Sequence, residues 1–433
     1  MNIAVIGTDE IGLSTAILLA YMNHFVIIVD DNQTKIELLR NNSLHFYEPY
    51  LNDSIKIVNS SLYYTTNVTS AIEQSDVVFF TSDAGYNLME VALVFSETIK
   101  SKFRILVNKS PTQLGLTVQA GKVIREKSDN FAVAYEMPGI TTGSIIIDTF
   151  YPEKIVVGVN NLRAASILDE LYRPIIEKSI ILPDYLPQPH RQDGQLIITD
   201  IGSAELAYHA EKIFKGVKSS FLNEINNLAN QNGAKTDEVI RVLKATGINS
   251  LNIKYGLGWS RKEYGESFEM LNDIAISSNI EVPIIDSALR SNYNQRDILI
   301  HKIANELGGL NGKTIGIMGL TYKPFTDDLT DSPSVDIIRV LLEHGTIIKA
   351  HDPVASFKMP MKFPDFAVEY CESVYDLFKD TDIIIFCTEW PEYFDIDWFQ
   401  LGQTMHQQMI FDARNCLSVK DFTSMGFKVL SFN

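Results

Sequence analysis

Two segments of this chain read as a short buried strand that turns at a glycine into a helix: NIAVIGTDEIGLS from Asn2 and KTIGIMGLTYKPFTDD from Lys313. Each opens with a β-branched run of the kind found in parallel strands, which helices cover on both faces and which need no polar side. A chain that starts this way twice is constrained to an α/β architecture with two parallel sheets. The rest of the sequence fits that frame. From Met1 to about Pro189, AVIG, FVIIVDD, DVVFFTSD, RILVNKS, FAVAYE and KIVVGV read as successive strands of a mostly parallel sheet, alternating with helical runs. The proline-rich PDYLPQPHRQDG reads as an irregular connection. DIGSAELAYHAEKIFKGVKSSFLNEINNLANQNG is apolar at helical spacing and ends at Gly233, which predicts one long helix. Helical sequence continues to about Gly309. Beyond Lys313, the amphipathic VDIIRVLLEHG reads as a helix and IIKAHDP, DIIIFCT, QMIFDAR and FKVLSF as strands. The expected plan is two Rossmann-like, doubly wound parallel-sheet domains, 1–195 and 309–433, joined by a long helix and a helical middle segment, 196–308. No repeat links the two sheets, which are alike in architecture only.

A chain of 433 residues is too long for one core, and with 45% apolar and 21% charged residues it has the composition of an ordinary globular protein. A formal net charge of -17 argues against nucleic acid or an anionic membrane surface as partner, but leaves room for a local basic pocket holding a small phosphorylated ligand. Cys371, Cys387 and Cys416 have no CxxC spacing and read as small packing residues, and so few cysteines suit a reducing cytoplasm. The N-terminal residues lack a basic start and include Asp9 and Glu10, so no signal peptide is expected. No apolar stretch approaches the ~18 residues that a bilayer requires. The histidines, among them His190, His209 and His351, show no metal-ligand spacing.

A dinucleotide-binding turn of the form G-x-G-x-x-G uses its middle glycine to let the backbone approach a pyrophosphate. Gly7 and Gly12 fit the outer positions, but the middle one is Asp9. Two unit charges ~4 Å apart at an effective dielectric of ~20 cost about 4 kcal/mol, roughly a thousandfold in affinity. A carboxylate turned outward into water would cost less. Asp30 ends the second strand where an acid contacts a ribose. The alternatives are a helix N-cap for Asp30 and a solvated helix position for Lys35.

The segment from Lys313 through Thr330, Asp331, Ser332 and Pro333 resembles a signature block, approximately GLxxKPxTDDxRxSP, of the UDP-glucose/GDP-mannose dehydrogenase family, and the resemblance extends from Met1 to Asn433. It implies an N-terminal NAD domain, a long helix used for dimerisation, and a C-terminal domain holding UDP. It places Lys35 beside the adenosine ribose with Asp30. Thr330 falls where the family carries an arginine that helps neutralise the cofactor pyrophosphate.

The family oxidises a sugar alcohol to a carboxylate by two hydride transfers through a cysteine-bound intermediate. Its GxGYGGSCFPKD-like segment matches GLGWSRKEYGES here: Gly256, Leu257 and Gly258 fit, Trp259 replaces an aromatic, Glu263 falls at the cysteine and Ser267 at the following aspartate. A carboxylate can act as a base but cannot form a thioester equivalent. The family's lysine and oxyanion-binding asparagine on the long helix become Tyr208 and Lys212, with Lys212 placed to reach the ligand from the next turn or to lie solvated. Pro138 and Thr142 replace two functional glutamates, with Glu136 as a shifted counterpart, and Pro111 follows Lys109 and Ser110 where the family reads KST. The nucleotide-holding end is retained: Tyr322, Lys323 and Pro324 match an aromatic–Lys–Pro, and Asp412, Ala413, Arg414 and Asn415 match D-x-R-N, whose cations contact the bound UDP-sugar. The alternative for Arg414 is an ion pair with Asp327 or Asp328.

The expectation is a cytoplasmic homodimer of this family that has lost the four-electron oxidation and binds UDP or a UDP-sugar, or serves as regulatory partner of an active relative. Its binding of NAD is weakened by Asp9 and Thr330. The rivals are a working NAD-dependent UDP-sugar 6-dehydrogenase of surface polysaccharide synthesis, with rearranged catalytic residues, and a structural module with empty clefts.

Overall fold

A computed structural model describes residues 1–81, 85–99, 102–189, 194–248 and 255–432 of the chain. His190 and the end of the proline-rich connection lie outside the described residues. The chain packs as two compact units, Met1–Tyr208 and His209–Asn433.

The first unit is built on an eight-stranded sheet with strands β1 (Asn2–Ile6), β2 (Phe25–Val29), β3 (Leu62–Thr65), β4 (Val77–Phe80), β5 (Arg104–Asn108), β6 (Phe131–Glu136), β7 (Lys154–Val159) and β8 (Gln195–Thr199), in the order β3-β2-β1-β4-β5-β6-β7-β8. All neighbours are parallel except β6 and β7, which pair antiparallel. Alternate residues of one strand feed opposite faces, as the period of two requires. Ile3 and Val5 pack with Leu13 and Ile17 of the helix Glu10–Tyr21, whereas Ala4 and Ile6 pack with Val91 and Phe95 of the helix Leu88–Thr98. That double burial is why β1 reads as an unbroken apolar run.

The second unit carries a six-stranded sheet, β9 (Thr314–Met318), β10 (Ile347–His351), β11 (Val368–Tyr370), β12 (Ile383–Phe386), β13 (Met409–Asp412) and β14 (Lys428–Ser431), ordered β11-β10-β9-β12-β13-β14 and parallel throughout. Ile315 and Ile383 face one core, and Ile384 and Phe386 the other. The helix Pro333–Glu343 follows β9, with proline in its first turn where a missing N–H costs nothing. In both sheets the order reverses beside the first strand, so each has a switch point at its carboxyl edge.

The long helix spans Ile201–Asn232 and stops before Gly233, which sits at φ 69. The strands missing from the sequence reading are β3, β8 and β11. β3 and β8 lie at the edges of their sheet, where half or more of each strand is open to solvent and no continuous apolar run is needed, and β11 is an edge strand of three residues.

Candidate functional site

In the first unit the glycine turn forms as the sequence demands. Gly12 lies in the first turn of its helix, and a Cβ there would stand 2.2 Å from the Gly7 carbonyl oxygen, so only glycine fits. Asp9 is the N-cap of that helix: its Oδ1 accepts from the Gly12 N–H at 2.7 Å and from the Thr81 hydroxyl at 2.8 Å. The carboxylate is therefore not turned out into water. It sits on the helix N-terminus, the place where backbone donors and the helix dipole would otherwise meet a phosphate.

The chain's own acids hold two more backbone-donor clusters beyond the strands of this sheet. Glu205 accepts from Gly115 N–H at 2.7 Å and Thr117 N–H at 3.3 Å, at the start of the helix Leu116–Arg125. Glu48 accepts from Gly143 N–H at 2.8 Å and Ile145 N–H at 2.9 Å. Thr142, in the same loop, donates to Glu10 at 3.0 Å.

Asp30 is buried and takes the Thr8 hydroxyl and the Asn32 N–H. It is not a helix cap; that place belongs to Asn32, whose side chain accepts from Thr34 and Lys35. Lys35 is not a solvated helix lysine either, since its Nζ lies 3.8 Å from Asp30 Oδ2. Glu136 is a buried structural acid: it pairs with Lys109 at 2.6 Å and accepts from the Tyr172 hydroxyl. Tyr208 packs among Tyr135, Met137, Val156, Ile201 and Ala204 as a core residue.

In the second unit several candidates come together at the carboxyl edge of the sheet. Lys323 follows β9 and Arg414 follows β13, and the Arg414 guanidinium donates to the carbonyl of Tyr322 and, at 2.5 Å, to that of Cys387. It also lies 3.3 Å from Glu389. The anticipated partners of Arg414 are taken: Asp327 pairs with Lys358 and Asp328 with Lys262. Arg414 thus joins the ends of β9, β12 and β13. Half-buried Lys323 lies above the ring of Tyr322, its Nζ 5.4 Å from the centroid. Phe325 and Asp331, in the loop it opens, hold φ of 64 and 50, a conformation that bulky or branched side chains rarely adopt outside constrained sites. Thr330, in the same loop, accepts from the exposed Lys362 at 2.6 Å, so a cation stands at that position although the residue is uncharged.

The segment from Tyr255 leads to the same edge. Gly256 N–H donates to Asn223 of the long helix, and Leu257 N–H to the Ala413 carbonyl at 3.1 Å. Gly258 sits at φ 92 with Asn292 Oδ1 2.2 Å from where a Cβ would be, so both conformation and space require glycine. Asn292 in turn receives the Trp259 N–H at 2.8 Å. A π-helical turn, Arg261–Gly265, follows. Ser260 and Glu263 form a capping box across it: Ser260 Oγ accepts the Glu263 N–H, and the Glu263 carboxylate accepts the Ser260 N–H at 3.0 Å. The turn is tied down by Arg261 to Glu269 at 2.6 Å and Lys262 to Asp328 at 2.5 Å. Ser267 donates to, or accepts from, His209 Nδ1 at 3.0 Å, both buried.

No thiol stands at this turn. Cys371 and Cys387 are buried, and burial pushes their thiols up to about 11 and about 12, far from the reactive thiolate; Cys416 lies beyond β13. Among the described residues no group of three or more His, Cys, Asp or Glu is placed to hold a metal, and no helix is long and apolar enough to cross a membrane.

Comparison with known proteins identifies this arrangement. Models of the UDP-glucose/GDP-mannose dehydrogenase family match the chain in three parts: the NAD binding domain at residues 1–176, the central domain at 202–294 and the UDP binding domain at 316–419. The UDP-glucose 6-dehydrogenase YwqF of Bacillus subtilis is 30% identical over 100% of this chain and 97% of its own length. The UDP-glucose 6-dehydrogenase of Rickettsia bellii is 29% identical over 99% and 98%. The solved UDP-glucose dehydrogenase of Pyrobaculum islandicum superimposes with a TM-score of 0.84, 27% identical over 99% of this chain and 96% of that one. With all three family segments present in order and relatives matched from end to end, the chain belongs to the UDP-glucose/GDP-mannose dehydrogenase family.

Proposed function

We propose that this chain binds UDP or a UDP-sugar at the carboxyl edge of its second sheet and does not carry out the family's cysteine-dependent four-electron oxidation. The observation that carries this reading is the state of Glu263. Its carboxylate occupies the position the resemblance assigns to the nucleophile, and it is committed to capping the π-helical turn. The other substitutions agree with it: Tyr208 is a core residue, Glu136 is locked to Lys109, and Ser267 is bonded to His209.

The residues of the first unit do not fit a dinucleotide pyrophosphate at ordinary affinity. Asp9 fills the N–H of Gly12 with its own negative charge, so a phosphate there must displace a carboxylate or lie beside it. In this reading Asp30 and Lys35, 3.8 Å apart, are the residues that would meet a ribose.

Lys323 is the principal ligand contact in this reading, and Arg414 holds the loop that presents it. Gly256 and Gly258 let the adjoining segment pack closely against Ala413 and Asn292. The protein acts as a nucleotide-sugar-binding partner in the cytoplasm, and as a homodimer. Phe214, Phe221 and Leu228, exposed at heptad spacing along the long helix, give that dimer an apolar seam.

A second reading, an active NAD-dependent UDP-sugar 6-dehydrogenase with rearranged catalytic residues, is favoured by the relatives: those matched over their full length are UDP-glucose 6-dehydrogenases. Thermal denaturation tests ligand binding. UDP should raise the melting temperature more than NAD does; ligand at a hundred times its dissociation constant adds about 2.7 kcal/mol. Lys323→Ala should remove most of the UDP shift while leaving the unliganded melting temperature nearly unchanged. A larger shift with NAD than with UDP favours the second reading.

A further inference from the structure

The long helix and the helix Pro283–Leu307 run side by side in the same direction. Ser220 Oγ donates to the Ala288 carbonyl at 2.8 Å and Asn227 Nδ2 to Gln295 Oε1 at 3.3 Å, and both bonds span 68 residues. Apolar side chains ordinarily fill the seam between two packed helices. Along this one lies a groove of about 390 Å³ with polar walls: Glu224 and Asn227 on the long helix, and Ser287, Arg290, Ser291 and Gln295 on the other. That volume is in the range of small-molecule sites. Gln295 is 1% exposed, yet its Nε2 has no hydrogen-bond partner. A buried amide donor without an acceptor is costly, and few persist in a folded protein unless a ligand or water meets them.

The groove also carries one charge of each sign. Glu224 and Arg290 are exposed on opposite walls, and among the described residues neither forms an ion pair; Arg290 has a 3.4 Å contact with Ser287 Oγ. The equal offset of the two helices puts Glu224 level with position 292, between Arg290 and Gln295. Guanidinium, carboxylate and buried amide donor thus follow one another along the groove, the outer two ~7.5 Å of helix rise apart. A dianion in this groove is repelled by Glu224, a diamine is repelled by Arg290, and a neutral polyol leaves both charges unmatched. A ligand with a carboxylate and an ammonium on one carbon, and a carbonyl a short chain away, satisfies all three groups. Amide-bearing α-amino acids have that form. In a chain of net charge -17 a neutral amide suits the floor of the groove better than a second carboxylate.

We propose that this groove is a binding site for a free α-amino acid with an amide side chain, such as glutamine. Arg290 takes the carboxylate, Glu224 the ammonium and Gln295 Nε2 the side-chain carbonyl. The proposal does not depend on the nucleotide reading above. Calorimetric titration of the full chain with L-glutamine tests it, and should show saturable binding. Arg290→Gln and Glu224→Gln should each weaken that binding about tenfold, the size expected for one hydrogen bond between charged groups. Glutaramate, which is glutamine without its ammonium, should bind the unmodified protein about tenfold more weakly than L-glutamine and lose no further affinity in Glu224→Gln. Both substituted side chains are exposed, so the unliganded melting temperature of each variant should match that of the unmodified protein, which checks that the variants fold. No saturable binding of L-glutamine, or an affinity unchanged in both variants, would overturn the proposal. A fall in the sedimenting mass of either variant would assign the groove to a contact between copies of the chain and overturn it as well.

Discussion

At the scale of single residues, the proposed function turns on two carboxylates. Asp9 caps the first helix from the inside. Asp9→Gly should remove both the negative charge and the competing acceptor and improve NAD binding by at least tenfold in calorimetry. Unchanged affinity would mean that Asp9 does not weaken NAD binding. Glu263 reads as a cap and not as a base, and the two roles respond differently to substitution. Glu263→Gln keeps a capping-box acceptor and should leave stability nearly unchanged, whereas Glu263→Ala should cost about 1 kcal/mol in urea denaturation. Equal losses in both variants would point to a role for the charge itself. Part of this was legible in the sequence. Aspartate before a helix is an N-cap signal, and Ser260-x-x-Glu263 is a capping-box pattern. The acceptor roles of Glu205 and Glu48 could not be read, because their partners lie 88 to 97 residues away and no local pattern links them.

At the scale of elements, the strands with the clearest pattern are those buried on both faces, although the edge strand β14 was legible as well. β1, β4, β5, β9, β12 and β13 are continuous apolar runs because helices cover both sides, whereas β3, β8 and β11 lie at sheet edges and carry a weaker pattern. The long helix was legible from its spacing and its terminal glycine. The contacts that join elements were not. Arg414 turned out to bind two carbonyls and Glu389 in place of Asp327 or Asp328, since a guanidinium between converging strand ends meets main chain first. Lys262 and Asp328 fasten the π-helical turn to the β9 loop. Burial alone would raise the Asp328 pKa, but the Lys262 ammonium and bonds from Thr330 leave it below its ordinary value. A carboxylate with a depressed folded pKa stabilises the protein above its unfolded value, near ~3.9, and this contribution is lost as pH falls through the folded value. Lys262→Met should therefore destabilise the protein at neutral pH, by about 1 kcal/mol or less given the exposure of the lysine, and flatten the acid limb of its stability curve. An acid limb unchanged in Lys262→Met would place the titrating group elsewhere.

At the scale of the whole molecule, fold and family were legible because both rest on long patterns: paired strand–glycine–helix openings, a helix of 32 residues and a signature block after β9. Chemistry rests on a few side chains, and the proposed loss of oxidation rests on how those few positions are matched to the family's motifs. Restoring a cysteine at Glu263 alone should not restore turnover, since Tyr208, Lys212 and Ser267 are also changed, and the new thiol would lack the oxyanion-stabilising surroundings it needs. The central claim, ligand binding without oxidation, is tested most directly by NADH formation. The purified chain is incubated with NAD and with UDP-glucose, UDP-N-acetylglucosamine or GDP-mannose, at sugar-nucleotide concentrations that saturate its thermal shift. The account predicts no NADH above the protein-free control under conditions where an active relative turns over; stoichiometric NADH with any of these sugars, together with the matching uronic acid, would contradict it.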